Sequence, residues 1–290
     1  MLEVVETLAE WRAGTEARRR AGATLGLVMT MGGLHAGHAS LFARAAASCD
    51  VAAATIFVNP QQFGDAADLA AYPRDLAADL AVAEAAGVQL VLAPSLAEVW
   101  PSWPEPTATT VHVAELADVL EGEGRPGHFD GVATVVTKLL VATGACTAFF
   151  GEKDFQQLCV VRRLVADLAL PVEVVGCPIV RDADGLALSS RNARLSAIGR
   201  TAARALPASL AAGRAALAEG HGVGAATAAM RDVVAREPLV ALAYAAAVEP
   251  PTLRAPVDAP PGATVRLLVA GVVEGVRLID NLAAQVGVAP

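Results

Sequence analysis

Lysine is scarce in this chain. Of its 22 basic residues only Lys138 and Lys153 are lysine, and all the others are arginine. Lysine offers a compact ammonium on a flexible stem, whereas arginine offers a rigid planar fork. A site that keeps lysine against such a bias is therefore a candidate for a functional requirement, although chance survival explains either lysine alone equally well.

Cysteine is also rare, and long apolar runs are absent. The cysteines form no CxxC pair and stand in apolar contexts, which favours reduced thiols and no structural zinc. Every apolar stretch is broken before the ~18 residues that a membrane span needs. The acidic N-terminus, Met1 to Glu6, lacks the pattern of a secretory signal. We expect a cytoplasmic protein with no membrane partner. The four cysteines are Cys49, Cys146, Cys159 and Cys177.

The chain has no long basic run, and its net charge is −8. Proteins that bind nucleic acid cluster Lys and Arg against the phosphate backbone, so we expect no nucleic-acid partner. An anionic ligand would have to be met by a few local side chains.

The first half alternates short β-rich runs with alanine-rich amphipathic runs. This pattern predicts βαβ units in a doubly wound, Rossmann-like parallel sheet, an α/β fold. The predicted strands are Thr24 to Met29, Val51 to Val58, Val88 to Leu92, Ala148 to Phe150 and Val172 to Cys177. The predicted helices are His38 to Ser48, Arg74 to Ala86, Val132 to Thr143 and Phe155 to Leu168.

The periodicity changes from about Ile179 onward. A hairpin signal at Asp182 to Gly185 is followed by long helical patterns and further strands, which predicts a smaller α+β domain. We therefore expect residues 1–179 to form the nucleotide-binding domain and residues 180–290 to form a domain that closes over the site. The later strands are predicted at Val240 to Val248, Thr264 to Ala270 and Val276 to Ile279.

Two segments between these elements are expected to be loops. Pro94 to Pro106, rich in proline and tryptophan, is expected to be a long ordered loop. Gly122 to Gly127 matches GxGxxG, but it contains proline and follows no strand, so a dinucleotide site fails its context test. The chain also has no GxxxxGK[ST], which excludes a standard P-loop.

The strongest motif is His35-Ala-Gly-His38, which follows the first predicted strand and opens a helix. A helix N-terminus carries outward N–H groups and partial positive charge, and two histidines add donors, so the position suits phosphate oxygens. In a parallel α/β fold it also coincides with the ligand-binding edge of the sheet. One alternative is a capping histidine beside a packing histidine. Zinc is a weaker alternative, because HExxH is absent.

Two further groups follow other strands. Asn59 and Gln62 supply neutral donors and acceptors for a hydroxyl or carboxylate, although Asn59-Pro60 alone could merely turn the chain. Lys153 is placed to meet a polyphosphate, Asp154 to cap the helix or bind through a metal, and Gln157 to face the same crevice. A capped surface helix is the alternative for that second group.

The predicted domain boundary carries a hydroxyl and guanidinium cluster. Ser189, Ser190 and Arg191 follow the hairpin signal, and such a loop can close over phosphates. An ordinary hairpin followed by a serine-capped helix is the alternative.

Taken together, these motifs resemble pantothenate synthetases. The resemblance runs in order from about Met29 to Leu195 and includes HxGH, TIFVNPQQFG, YPRDL, GHFDGVATVVTKL, FFGEKDFQQL and DGLALSSRN. It implies an ATP- and Mg²⁺-dependent enzyme that condenses pantoate with β-alanine through pantoyl adenylate, releasing AMP and pyrophosphate. It also implies a homodimer.

The resemblance further implies roles for individual residues. His35 and His38 would stabilise the phosphate transition state, and Lys153, Ser189, Ser190 and Arg191 would hold the phosphates. Asn59, Gln62 and Gln157 would orient pantoate. The remaining nucleotide contacts would come from Met31, Gly151, Asp154, Val180 and Leu188.

Three points stay open. Leu188 stands where the family has methionine, a tolerable apolar exchange. Asp79 is preceded by alanines where the family carries acidic residues near the metal, which weakens a metal role for Asp79. Lys138 could support its helix or contact substrate. The alternatives to the family function are another HxGH nucleotidyltransferase and a non-catalytic nucleotide-binding paralogue.

Overall fold

The structure is a computed structural model that describes residues 2–256 and 259–287. The chain divides into two units. The first comprises Met1–Glu152 and Val160–Pro178, and the second comprises Lys153–Cys159 and Ile179–Pro290. This division differs from the predicted one mainly in Lys153–Cys159, which groups with the C-terminal residues. The closing of one domain over the other stays a prediction.

The first unit is built on a six-stranded, wholly parallel sheet, which confirms the predicted α/β class. The strand order is β1-β4-β3-β2-β5-β6. The central strand β2 pairs on both sides and is buried along almost its whole length, which agrees with its nearly continuous apolar sequence. The strands are β1 (Glu3–Val5), β2 (Leu25–Thr30), β3 (Val51–Ile56), β4 (Leu90–Leu92), β5 (Cys146–Gly151) and β6 (Val172–Cys177).

Helices connect these strands and bury their apolar stripes against the sheet. One core cluster joins Val28 and Val91 of the sheet to Phe42, with Phe149 beside them. The helices are α1 (Leu8–Arg20), α2 (Ala36–Ser48), α3 (Ala66–Ala70), α4 (Leu76–Ala85), α5 (Leu96–Val99), α6 (Glu121–Gly124), α7 (His128–Thr143) and α8 (Phe155–Asp167), the last of which begins in the second unit.

The first strand and the first helix were not predicted, although the sequence carries a signal for α1. Thr7 and Glu10 form a capping box, in which each side chain accepts from the backbone N–H of the other residue. Trp11 is fully buried, and its indole N–H donates to the Thr143 hydroxyl at 2.9 Å. This contact ties α1 to the end of α7.

The second unit contains a three-stranded antiparallel sheet of order β7-β8-β9. Its strands are β7 (Val240–Val248), β8 (Thr264–Val273) and β9 (Val276–Gln285), and its helices are α9 (Ala197–Ala203), α10 (Ala205–Ala218) and α11 (Val223–Ala235). Leu206, Met230 and Leu267 are buried in one core between helices and sheet. The predicted α+β character is confirmed.

Two loop predictions are corrected. The Pro94 to Pro106 segment contains α5, which is capped by the Ser95 side chain. Glu121–Gly124, which overlaps the start of the GxGxxG match, forms α6. A Cβ on Gly122 would lie 1.7 Å from the Ala117 carbonyl oxygen, so this glycine allows a close backbone approach. Within the described residues, no helix is long and apolar enough to cross a membrane.

Candidate functional site

The order of the first sheet determines where its functional loops begin. β2 pairs with β5, and the strand order runs in opposite directions on the two sides of this pair. In parallel sheets such a switch point opens a crevice beyond the carboxyl ends of the strands. The loop from Met31 to His35 leaves β2 at this point, His38 lies in the first turn of α2, and Gly151 ends β5 beside the loop.

The two histidines lie at the N-terminus of α2, with ring centroids 4.2 Å apart. His35 Nδ1 accepts the Gly37 N–H at 3.1 Å, and His38 Nδ1 accepts the His35 N–H at 3.3 Å. A neutral imidazole has one N–H, and an accepting nitrogen does not carry it. A neutral ring at either position therefore carries its proton on Nε2, which is then a donor.

A buried carboxylate holds the loop that precedes these histidines. The oxygens of Asp79 accept the backbone N–H groups of Gly33 at 3.1 Å and Leu34 at 2.8 Å. Gly32 and Gly33 have φ of +82° and +62°, and a Cβ on Gly32 would lie 2.7 Å from the Asp79 carboxylate. The turn thus requires glycine, and Asp79 fixes it.

Asn59 is 1% exposed and is hydrogen-bonded to Gln62. Its Oδ1 accepts from Trp100 Nε1 at 3.0 Å, while its Nδ2 donates to Gln62 Oε1 at 3.0 Å and to the Gly131 carbonyl at 3.1 Å. The structure therefore shows Asn59 supporting Gln62. The direct substrate contact expected of Asn59 stays a prediction.

The main chain of Gln62 is held as well. Its carbonyl oxygen accepts from His128 Nδ1 at 2.8 Å and from Arg125 Nη2 at 3.2 Å. α7 approaches this turn so closely that a Cβ on Gly131 would lie 2.3 Å from the Gln61 carbonyl oxygen. Gln62 is thus fixed through both its side chain and its backbone.

In the second unit, Lys153 is fixed through its main chain. Asn281 Nδ2 donates to the Lys153 carbonyl at 2.8 Å, and Asn281 Oδ1 accepts from Arg266 Nε at 2.7 Å. The Arg266 guanidinium also stacks on Phe155, 4.2 Å from the ring centroid. The Lys153 ammonium lies 3.4 Å from Asp154 Oδ1, and its side chain is 19% exposed.

The serine and arginine segment follows a short hairpin in the same unit. Arg181 bridges to Ala187 across it, and Leu188 N–H donates to the Val180 carbonyl at 2.9 Å. Ser189 caps the 3₁₀ helix Ser190–Arg194 by accepting the Arg191 N–H at 3.3 Å. The serine-capped helix given as the alternative is therefore present. It leaves the phosphate role of this segment as a prediction.

Comparison with known proteins assigns the family. The sequence model of the pantoate-beta-alanine ligase family matches residues 3–283. This chain belongs to that family. The family expected from the sequence motifs is confirmed, and with it the expectation that this chain is an enzyme.

Several relatives of this ligase align over almost its whole length. The pantothenate synthetase of Cereibacter sphaeroides is 50% identical over 97% of this chain and 99% of its own. The crystal structure of the pantothenate synthetase from Thermus thermophilus is 45% identical, with a TM-score of 0.88 over 97% and 99% of the two chains. The Francisella tularensis pantoate-beta-alanine ligase, 28% identical with a TM-score of 0.78 over 97% of each chain, was crystallised with beta-gamma ATP and beta-alanine.

Within the ligase, the other predicted site residues lie in their expected segments. None of them is fully buried, but their contacts with ATP or substrate stay predictions. Met31 follows β2, Gly151 ends β5, Gln157 lies in the first turn of α8, and Ser190 opens the 3₁₀ helix.

Sequence reasoning missed the supporting residues of the ligase. These are Trp100, Arg125, His128, Arg266 and Asn281. His128 and Arg125 lie in or next to the GHFDGV region that carried the resemblance, which was the available signal. Trp100 and Asn281 gave none, because each reaches its partner across the fold.

A metal role for Asp79 also stays a prediction. Both of its oxygens accept backbone N–H groups. Among the described residues, no three His, Cys, Asp or Glu side chains form a group that could hold a metal ion. The protein groups described here do not fit a cage made by protein alone. Mg²⁺ is commonly held by substrate phosphates with one or two carboxylates.

Proposed function

We propose that this ligase condenses pantoate with β-alanine, using ATP and passing through pantoyl adenylate. The family assignment supports this reaction, and the geometry of the histidine pair supports the chemistry. Mg²⁺ accompanying ATP, a homodimer and a cytoplasmic location belong to the same proposal.

In the first step, a pantoate carboxylate oxygen attacks the α-phosphorus of ATP. The bond from that phosphorus to the bridging oxygen breaks, and pyrophosphate leaves with the electron pair. Negative charge builds on the phosphate oxygens, where the Nε2–H donors of His35 and His38 would stabilise it. The Lys153 ammonium and the guanidinium of Arg191 would offset the charge of the polyphosphate.

In the second step, the free amine of β-alanine attacks the activated acyl carbon. The amide bond forms, the acyl–phosphate bond breaks, AMP leaves, and the amine loses a proton. No covalent enzyme nucleophile is required. This agrees with a site made of histidines, amides and basic side chains.

The observation that carries the proposal is the fixed Gln62 carboxamide, which follows β3 at the same sheet edge as the donor histidines that follow β2. Asn59 takes up its Oε1, so Gln62 presents the two N–H donors of Nε2. Neutral donors suit a hydroxyl or carboxylate substrate. A nucleotidyltransferase acting on a phosphorylated substrate would need another basic group, and a non-catalytic paralogue would not need to keep both histidines and Lys153.

The deciding experiment measures isotope exchange between pyrophosphate and ATP, with each substrate omitted in turn. We expect exchange that requires pantoate and does not require β-alanine, because adenylate formation precedes amide formation. Pantothenate should accumulate only when pantoate and β-alanine are both present. Exchange that is absent with pantoate, or equally supported by an unrelated carboxylic acid, would overturn the proposal.

A further inference from the structure

Lys138, the second of the two lysines, lies half-buried on α7 of the first unit. Its ammonium donates to the Val99 carbonyl and stands 4.2 Å from the centroid of the Trp100 ring. Burial lowers the pKa of this ammonium from its ordinary value. A cation over an indole face is attracted by the ring quadrupole, more strongly when it is partly desolvated.

The Trp100 side chain that Lys138 contacts is linked to Gln62 through hydrogen bonds made by Asn59. Trp100 is 2% exposed, and its indole N–H donates to Asn59 Oδ1 at 3.0 Å. This bond helps to fix which end of the Asn59 amide faces which partner, because a flipped amide would point its NH₂ at the indole donor. The Gln61 N–H, which donates to Asn59 Oδ1 at 3.3 Å, and the Gly131 carbonyl, which accepts from Nδ2 at 3.1 Å, favour the same orientation. Asn59 Nδ2 is thereby directed at Gln62 Oε1.

We propose that Lys138 is a positioning residue for the Gln62 carboxamide, acting through Trp100 and Asn59. The four residues form a relay that fixes which end of Gln62 is presented to the substrate. With Oε1 taken by Asn59, the NH₂ end faces the ligand and donates to an oxygen of the acid. This inference rests on the proposed function, in which Gln62 orients pantoate.

The relay also accounts for the retention of lysine. One ammonium must donate to the Val99 carbonyl while covering the face of the adjacent ring. A compact point charge with three donors meets both demands. A guanidinium is broader and planar, and it would have to stack flat on the indole to keep the cation–π contact, which turns its donors away from the carbonyl.

Two substitutions interrupt the relay at different bonds. Trp100→Phe removes the indole donor and keeps an aromatic face for Lys138. Lys138→Met keeps the indole donor and removes the ammonium. In each variant the Asn59 amide loses part of its support, so the Gln62 carboxamide is held less firmly in its donating orientation, and KM for pantoate should rise about 10-fold. KM for ATP should change by less than about 2-fold, because no relay residue binds phosphate in the proposed mechanism.

The double variant tests the coupling. If the residues act in one relay, the combined rise in KM for pantoate should be clearly smaller than the product of the two single effects. Lys138→Arg should give a KM for pantoate between that of the wild type and that of Lys138→Met. Trp103→Phe is a matched control, because Trp103 lies nearby in the chain but is 41% exposed, and it should leave both KM values unchanged.

A spectroscopic measurement separates the relay from the proposed function. In ¹⁵N-labelled protein without substrate, Lys138→Met should shift the side-chain amide resonances of both Asn59 and Gln62. If the wild type lacks pantoate-dependent exchange, the proposed function fails, whereas unmoved Gln62 resonances overturn the relay whatever the substrate is. A lowered Tm with unchanged resonances and an unchanged KM for pantoate would mean that Lys138 only stabilises the fold.

Discussion

The two units of this ligase fix their functional side chains in different ways. Buried polar side chains act as supports in both units, since Asn281 is also 1% exposed, but they hold different groups. Asn59 is 1% and Asp79 5% exposed, and each makes at least two hydrogen bonds that hold a functional turn. In the second unit, Asn281 holds the main chain of Lys153, while the ammonium itself lies beside the carboxylate of its chain neighbour, Asp154.

This difference matches two chemical tasks. Directional donors such as the histidine Nε2–H groups are effective when they are fixed before charge develops. A flexible ammonium can follow phosphate oxygens that move during the reaction, because its attraction depends little on angle. Replacing a side chain that is proposed to contact substrate should therefore reduce the rate most. Replacing a residue that only holds such a side chain should have a smaller effect, on the binding of one substrate.

The largest effect is expected from Lys153→Ala. Loss of the ammonium should lower the rate of pantoate-dependent pyrophosphate exchange by roughly 10² to 10³-fold, because phosphate charge is no longer offset. Tm should change little, since the support of Lys153 acts on its backbone. Exchange that stays nearly intact would contradict the argument from lysine scarcity, and Lys153→Arg measures how much charge alone restores.

The next largest effect is expected at His38, where two substitutions distinguish the role of Nδ1 from that of Nε2. Asn at this position can replace the Nδ1 acceptor but has no group at Nε2, whereas Gln can place an N–H near Nε2 but loses the local acceptor. We expect His38→Asn to lower kcat by about 10²-fold with a nearly unchanged Tm. His38→Gln should retain more activity. The reverse ranking would mean that His38 acts mainly as a helix cap.

A smaller effect is expected from Asp79→Asn. The new NH₂ would face one of the backbone N–H groups of the glycine turn, and a buried unsatisfied donor costs about 1–3 kcal/mol. We expect kcat to fall about 10-fold and Tm to drop, with the Mg²⁺ concentration for half-maximal rate unchanged. Asp75→Asn, an exposed change that keeps the cap of α4, is the control. A raised Mg²⁺ requirement would instead support the metal role predicted for Asp79.

The smallest effect is expected from Asn281→Ala in the second unit. This substitution removes the bond to the Lys153 carbonyl and the bond that Asn281 accepts from Arg266. KM for ATP should rise about 3-fold, because the Lys153 ammonium remains while its anchor loosens. KM for pantoate should stay unchanged. Equal rises in both values would show that the two units do not separate the tasks as described.

The sequence predicted the residues expected to contact substrate better than it predicted the residues that hold them. The histidine motif, Lys153 and the carboxamides follow strands whose carboxyl ends meet at one edge, so local pattern and topology suffice. Asp79 reaches Gly33 across 46 positions of the chain and Trp100 reaches Asn59 across 41. Such contacts depend on how separate elements pack, and no local pattern encodes them.

The elements of the fold also divide into those that local sequence predicts and those that depend on packing. Apart from β1, the strands of both sheets and most long helices were predicted from periodicity. β1 has only three residues, too few for a period to be visible, and α5 and α6 are single turns within segments rich in proline or glycine. Their helical geometry comes from caps and close packing, such as the approach of Gly122 to Ala117, which only the folded chain provides.

The assignment of Lys153–Cys159 to the second unit bears on attempts to dissect this enzyme. A fragment that ends at Pro178 would carry Lys153 and Phe155 without Asn281 and Arg266, their partners in the intact chain. A fragment that begins at Ile179 would expose the positions those residues occupied. The two units are therefore poor choices for separate expression, and inserted domains or affinity tags are better placed away from the start of α8.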